Sequence, residues 1–363
     1  MPKILHIADI HLDSAFSAHF DAQRAKLRRA EVLRCLSGIL DRAKEVDILL
    51  IAGDLFDGAS VSAETVSFLK RKFAEIKNTR VFIAAGNHDA YTPTSVYATE
   101  DLGENVHVFS TAAECVELTE LRTRVFGASF SESFCDNRIT FPQIEKKDGV
   151  TDIILVHADL TSKGAESRYN QIDKEFIEKC GADYLALGHI HKRTEIERCG
   201  ETYYAYPGSP EGRGFDECGD MGFYTGTVEN GVADIKFERA CIRRMYRAEV
   251  DISGAEDNFG AAEIVRDAIL KAGSYEDMYR IILKGRIKSG FLSTDIVKEE
   301  AGRDINYLEL RDETKNDYDI DSIAKQNTIC GEFVRIMKSN DADSELTEDA
   351  ILLGLEALLG GDI

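Results

Sequence analysis

Five of the eight histidines fall in four short segments, and a fifth segment supplies carboxylates. In chain order they are Asp9-Ile10-His11, Gly53-Asp54-Leu55-Phe56-Asp57, Gly86-Asn87-His88-Asp89, His157, and Gly188-His189-Ile190-His191. Carboxylate, amide oxygen and imidazole together suit first-row divalent cations better than calcium. Asp9, His11, Asp54, Asn87, His157, His189 and His191 supply enough donors for two such ions. A carboxylate such as Asp54 can bridge ions held about 3.5–4 Å apart. Alternate residues of an extended segment share a face, so Asp9 with His11, and His189 with His191, are expected to form two-armed clamps. Gly53, Gly86 and Gly188 would let the backbone turn tightly beside the ions. Taken singly, Asp-x-His reads as a cap and Gly-Asp-x-x-Asp as a turn. Gly-Asn-His-Asp is sharper, because Asn and His after a buried strand have little packing use. All five in one chain, each behind an apolar strand, imply a dinuclear metal site.

The elements that must position these segments can be read from hydrophobic periodicity. Strands are expected at residues 3–8, 46–52, 80–85, 106–109, 124–128, 152–156, 183–187, 203–206, 222–228 and 232–238. Several are near-continuous apolar runs, as suits strands covered on both faces of a layered α/β domain. Leu27, Ala30, Leu33, Leu36, Ile39, Leu40 and Ala43 recur at helical spacing, as do Val66, Leu69, Phe73 and Ile76. Glu229-Asn230-Gly231 reads as a hairpin turn. Every ligating segment closes a strand, and ligands of α/β sheets bind outside the carboxyl ends of strands.

After about residue 245 the pattern changes. Strands at 245–251, 278–284 and 305–311 alternate with helices at 258–272 and 294–300, which suggests a small α+β unit. Two helical patterns follow from about residue 321, broken at 339–345. Residues 341–363 hold seven acidic residues and no basic one. The apolar cluster Ile351, Leu352, Leu353, Leu355, Leu358 and Leu359 is expected to pack on its own chain or to mediate dimerisation. Three segments result, at 1–244, 245–320 and 321–363.

The chain has 363 residues, with 44 basic and 65 acidic side chains and a formal charge of −21. Broad, sequence-independent neutralisation of nucleic acid is therefore excluded as the mode of binding. Local cationic footholds would have to serve instead. The candidates are Arg24, Lys26, Arg28 and Arg29, the junction cluster Arg239, Arg243, Arg244 and Arg247, and Arg213 in the Gly212-Arg213-Gly214-Phe215 loop. Of the two clusters, the first is the more expected to be paired with nearby acids. The eight cysteines, at 35, 115, 135, 180, 199, 218, 241 and 330, make no C-x-x-C motif. With no signal-peptide core and no apolar run near the length of a membrane span, a cytoplasmic location with reduced thiols is expected, and no membrane association.

In order and content the five segments resemble the signature of the calcineurin-like metallophosphoesterases over roughly residues 3–240. The resemblance implies a four-layer α-β-β-α sandwich followed by a small α+β capping domain and a helical tail. It implies that Asp9, His11, Asp54 and His191 bind one metal, and that Asp54, Asn87, His157 and His189 bind the other. His88 is not a ligand in that pattern. The resemblance implies that it faces the substrate phosphate as the catalytic residue, and the Asp9 or Asp89 carboxylate is expected to orient it. Asp57 and Asp89 are expected either to brace a ligand histidine or to cap a following helix.

The fillings His6-Ile7-Ala8-Asp9-Ile10-His11-Leu12-Asp13, Ala52-Gly53-Asp54-Leu55-Phe56-Asp57 and Tyr206-Pro207-Gly208-Ser209-Pro210 are similar to the bacterial DNA-repair exonuclease branch of SbcD- and YhaO-like proteins. That implies a manganese-dependent DNA exonuclease, with iron or zinc as other candidate metals. DNA, an SbcC-like coiled-coil ATPase and a second copy of the chain are the implied partners. Two other functions are weighed beside it. One is a phosphoesterase for small nucleotides or phosphoproteins, which the acidity favours. The other is a non-catalytic scaffold for an ATPase, which a complete ligand set argues against.

Overall fold

Apolar runs such as Ile48–Ala52 have no polar face, so a strand built from one must be covered on both sides. The computed structural model describes residues 2–18, 20–134, 140–162, 165–229, 231–288, 292–339 and 344–359, with 344 and 345 described by backbone alone. The chain divides into two units, Met1–Arg244 and Met245–Ile363.

The first unit begins with β1 (Lys3–Ile7), α1 (Ala22–Ala43), β2 (Ile48–Ala52), α2 (Ala63–Glu75), β3 (Arg80–Ala84), α3 (Val96–Thr99) and β4 (Val106–Val108). It continues through β5 (Glu114–Leu118), β6 (Thr123–Ala128), β7 (Thr151–His157) and the short pair β8 (Asp159–Leu160) and β9 (Gln171–Ile172). It ends with α4 (Lys174–Lys179), β10 (Tyr184–Gly188), β11 (Glu197–Cys199), β12 (Thr202–Ala205), β13 (Gly222–Glu229) and β14 (Val232–Arg239). The strands form two six-stranded sheets, ordered β14-β13-β1-β2-β3-β4 and β11-β12-β10-β7-β6-β5. Strands β1 to β4 run parallel, as do β12, β10, β7 and β6.

One core joins the two sheets. Ile4, Leu50 and Phe82 of the first pack with Val125, Ile153, Leu155 and Tyr184 of the second. On the outer face of the second sheet, Ile154, Val156, Leu185 and Leu187 pack with Ile177 of α4. Leu49, Ile51 and Val81 point away from the shared core and are equally buried, in a sheet whose parallel strands are joined by crossover helices α1 and α2. Both helices start on a side-chain cap, with Asp21 accepting from the Arg24 amide and Ser62 from the Thr65 amide.

Two features of this unit depart from expectation. The buried stripe of α1 includes Arg28 and leaves Leu27 half exposed, because the Arg28 guanidinium is paired inside the protein. Strands β5 and β11 carry no long apolar run, and both are edge strands, where one side needs no cover. In the last hairpin Glu229 lies opposite Val232, and Asn230 of the expected turn lies outside the described residues.

The second unit runs β15 (Met245–Asp251), α5 (Asn258–Ala272), β16 (Met278–Lys284), β17 (Arg286–Lys288), α6 (Thr294–Ala301), β18 (Tyr307–Asp312) and β19 (Lys315–Asp317), then α7 (Ile320–Ala324), α8 (Ile329–Lys338) and α9 (Ser344–Leu359). Its sheet β15-β16-β18 is parallel, and Val265, Ile269 and Val297 from α5 and α6 cover Ile281 and Leu283. Ile351 and Leu355 of α9 pack on Val334 and Tyr318, while Leu353, Leu358 and Leu359 stay exposed.

Candidate metal centre

Past the ends of β1, β2 and β10 the chain leaves strand geometry at once. Asp9, His11, Asp54 and His189 have φ of 54°, 50°, 50° and 113°. The extended two-armed clamp is therefore not the device that brings Asp9 and His11, or His189 and His191, together. Left-handed turns re-aim each side chain, a conformation that Asp and His tolerate better than most residues. Hydrogen bonds between the loops hold these turns. Asp9 N–H donates to the Gly53 carbonyl (3.1 Å), His11 N–H to that of Asp54 (2.9 Å) and Leu12 N–H to that of Leu55 (2.9 Å). Gly86 is required by space, since a Cβ there would lie 2.1 Å from Asp54 Oδ1.

The loops converge on Asp54. One ligating atom from each of Asp9, His11, Asp54 and His191 lies within 4.8 Å of the others. His11 Nε2 is 3.6 Å from Asp54 Oδ2 and 3.2 Å from His191 Nε2. His157 Nε2 lies 3.5 Å from the same Asp54 oxygen and 3.0 Å from Asn87 Oδ1. His189 Nδ1 is 3.3 Å from Asn87 Oδ1, and its backbone N–H donates to Asp9 at 3.1 Å. All seven expected ligands thus come together.

The electrostatics fit a cation. Burial pushes the imidazole pKa values of His11, His157 and His189 down to about 4, so these rings are neutral lone-pair donors at pH 7. Burial, and then the charge of Asp54, raise the Asp9 carboxyl well above its ordinary range. Two buried carboxylates beside neutral imidazoles form a donor set whose repulsion a divalent ion would relieve. Acceptors already hold the far nitrogens of two rings. His157 Nδ1 lies 2.9 Å from the Ala52 carbonyl and His11 Nδ1 lies 3.0 Å from Asp57. Their Nε2 lone pairs therefore point into the cluster.

His88 stands beside this group. Its backbone N–H donates to Asp54 Oδ1 (3.0 Å), and its side chain is 42% exposed with Nδ1 3.2 Å from Asp57 Oδ1. Asp57, rather than Asp9 or Asp89, is the carboxylate that orients it. The Asp57 hydrogen bond raises the His88 pKa. Burial pulls Asp57 upward, but its hydrogen bonds to His11 and His88 outweigh that and hold the carboxyl well below its ordinary range. Asp89 neither braces a histidine nor caps a helix. It accepts from the amides of Gly86 (2.7 Å), Leu55 (2.7 Å) and Phe56 (3.1 Å) and from the Tyr97 hydroxyl (2.5 Å), tying the two loops together.

Of the expected cationic footholds, Arg28, Arg213, Arg243 and Arg244 stand in ion pairs with carboxylates. Arg28 is fully buried between Glu31 (2.5 Å) and Glu211 (2.6 Å). At the junction, Arg243 pairs with Glu31 (2.5 Å) and Arg244 with Asp220 (2.8 Å). Carboxylates reach arginines of both clusters, the junction as well as the first helix. Arg213 does reach the cluster, 3.4 Å from Asp57 and 3.2 Å from His191 Nδ1. Glu217, absent from the sequence expectation, lies 2.7 Å from that same nitrogen. A single loop glutamate has no periodicity or motif that would mark it.

Two clefts are lined in part by residues of the cluster or beside it. One of about 600 Å³ is lined by Phe56, Asn87, His88, Phe134 and Tyr169. Another of about 820 Å³ is lined by His189, His191, Lys192, Arg193 and Glu217.

Paired sheets whose strand ends gather Asp, Asn and His around one carboxylate define a metallophosphoesterase, and the chain belongs to the calcineurin-like phosphoesterase family, whose profile matches residues 2–193. It is similar to the uncharacterized metallophosphoesterase YhaO of Bacillus subtilis, at 28% identity across 88% of this chain and 83% of that protein. It is also similar to the DNA double-strand break repair protein Mre11 of Methanopyrus kandleri, at 24% identity across 75% and 68%. The SbcD component of the nuclease SbcCD of Escherichia coli K12 matches at 26% identity across 63% and 66%. No helix among the described residues is long and apolar enough to cross a membrane.

Proposed function

We propose that the protein is a metal-dependent DNA exonuclease that hydrolyses phosphodiester bonds with two divalent cations, manganese before iron or zinc. The observation that carries this reading is the convergence of seven donors from five strand ends around Asp54. In it Asp9, His11, Asp54 and His191 would hold one cation, and Asp54, Asn87, His157 and His189 would hold the other. When bound, the cations supply Lewis acidity, neutralising phosphoryl oxygens and lowering the pKa of water so that a nucleophile exists near neutral pH.

His88 meets the substrate. Half exposed and paired with Asp57, its ring favours the imidazolium, which neutralises a phosphate oxygen or protonates the leaving sugar oxygen. Asp89 keeps Asp54, Asn87 and His88 in register by accepting from both loops. The clefts that border the cluster, one at Asn87 and His88 and one at His189 and His191, leave room for a substrate larger than a single phosphate. The names of the Mre11 and SbcCD relatives support DNA as that substrate. In this reading residues 1–244 are the nuclease domain, 245–320 the capping domain and 321–363 a helical acidic segment. An SbcC-like ATPase and a second copy of the chain are its protein partners, in the cytoplasm.

The test is hydrolysis of end-labelled linear DNA with manganese, beside a small chromogenic phosphodiester, with Asp54→Ala as control. DNA shortening that vanishes in the variant is expected. Cleavage of the small diester alone would move the assignment to a nucleotide phosphoesterase, and cleavage of neither would support the scaffold.

A further inference from the structure

His191 Nδ1 has two polar neighbours, Glu217 Oε1 at 2.7 Å and an Arg213 Nη2 at 3.2 Å. A guanidinium can only donate and an ionised carboxylate can only accept, so one ring nitrogen cannot satisfy both. If Nδ1 were bare, its lone pair would face the nearer, negatively charged oxygen. With the proton on Nδ1, the ring donates to Glu217 and leaves Nε2 as a lone pair, 3.2 Å from His11 Nε2.

The surroundings favour that second arrangement. The backbone N–H of Arg213 donates to the other Glu217 oxygen (2.9 Å), which fixes the carboxylate in place. The Arg213 side chain then serves two carboxylates, with Nη1 3.4 Å from Asp57 and Nε 3.6 Å from Glu217. Asp57 holds His11 Nδ1 just as Glu217 holds His191 Nδ1. One guanidinium therefore spans the carboxylate braces of two imidazoles whose inner nitrogens face each other. Nearby, the chain that leads into this loop is anchored by Glu211 on the fully buried Arg28 (2.6 Å).

We infer that Glu217, locked by Arg213, is a positioning residue that fixes His191 in the tautomer able to bind a cation through Nε2. The inference rests on the metal-site reading above and adds to it a residue of the 207–217 loop. Outer carboxylates on ligating histidines typically change metal affinity by about 10- to 100-fold when removed.

Manganese binding to purified protein by titration calorimetry is the test, independent of turnover. Glu217→Leu removes the acceptor at similar volume, and Glu217→Gln keeps an acceptor oxygen. Wild type is expected to bind two ions. Glu217→Leu is expected to bind one of them about 10- to 100-fold more weakly, and Glu217→Gln to recover most of that loss. Unchanged affinity in Glu217→Leu would overturn the inference, as would equal losses in both variants, since charge rather than the acceptor would then matter. A wild type that binds no metal would instead defeat the metal-site reading itself. If Glu217→Leu does not fold, nitrogen-15 histidine spectra of the metal-free wild type decide directly. A proton on His191 Nδ1 supports the inference and a proton on Nε2 overturns it.

Discussion

At the scale of single residues, His88 and Asp54 are adjacent in space yet stand in different surroundings. Asp54 is buried among the donors, and the His88 backbone N–H donates to it, while the His88 ring turns outward onto Asp57. His88→Ala is therefore expected to bind manganese like wild type and to lose about 100- to 10,000-fold in turnover, the usual worth of general acid–base help. Calorimetry beside single-turnover hydrolysis checks this, and a parallel loss of metal would make His88 a ligand instead. The sequence left Asp57 open between bracing a ligand histidine and capping a helix, and the structure sets it on His11 Nδ1. Its contacts with both His11 and His88 depend on the turn after β2, which residue types alone do not specify.

At the scale of elements, the two sheets are joined by a buried polar pair as well as by their shared apolar core. His6 of β1 accepts from or donates to the Tyr184 hydroxyl of β10 (2.9 Å) and contacts the Leu187 carbonyl (3.1 Å). The carbonyl can only accept, so Nε2 carries the proton and Nδ1 accepts from the tyrosine. Burial lowers the His6 pKa to about 3 against an ordinary 6.5. Since the folded pKa is depressed, the unfolded chain binds this proton first, and stability is lost as pH falls from 6.5 toward 3. The loss is about 1.4 kcal/mol per pH unit across that window. Urea unfolding at pH 7, 6 and 5 should fall less steeply for His6→Asn than for wild type, and equal slopes would show that His6 is not held neutral. The central strands were readable because burial on both faces leaves an apolar run. The edge strands β5 and β11 were not, because one open side lets Glu114, Glu117, Glu197 and Arg198 stand in a strand.

At the scale of the whole molecule, every expected ligand lies in the first unit, and none in residues 245–363. A cation that binds only the folded form adds about 2.7 kcal/mol per site at one hundred times its dissociation constant. For a unit of this size that corresponds to roughly 5–10 °C in melting temperature. Calorimetric scans with and without manganese are expected to show that rise in wild type and not in Asp54→Ala. A rise of the same size in both would place the stabilising ion elsewhere on this acidic surface. The net charge of −21 also bears on the arginines. With acids in excess, Arg28, Arg243 and Arg244 are drawn into ion pairs, so cationic runs in the sequence were poor guides to free positive surface.

Sequence alone determined the inventory of candidate ligands, its order, and its place at strand ends. Those properties follow from local chemistry and from the burial period of neighbouring residues, both written directly in residue types. Only the tertiary structure decided the geometry of the clamps, which arises from left-handed turns at Asp9, His11 and Asp54 stabilised by bonds between loops. It alone decided that Asp89 ties two loops, that Asp57 serves two histidines, and that Glu217 stands on His191. Each of those roles joins segments 26 to 46 residues apart. A lone carboxylate in a loop acquires its partner only when the chain has closed around it.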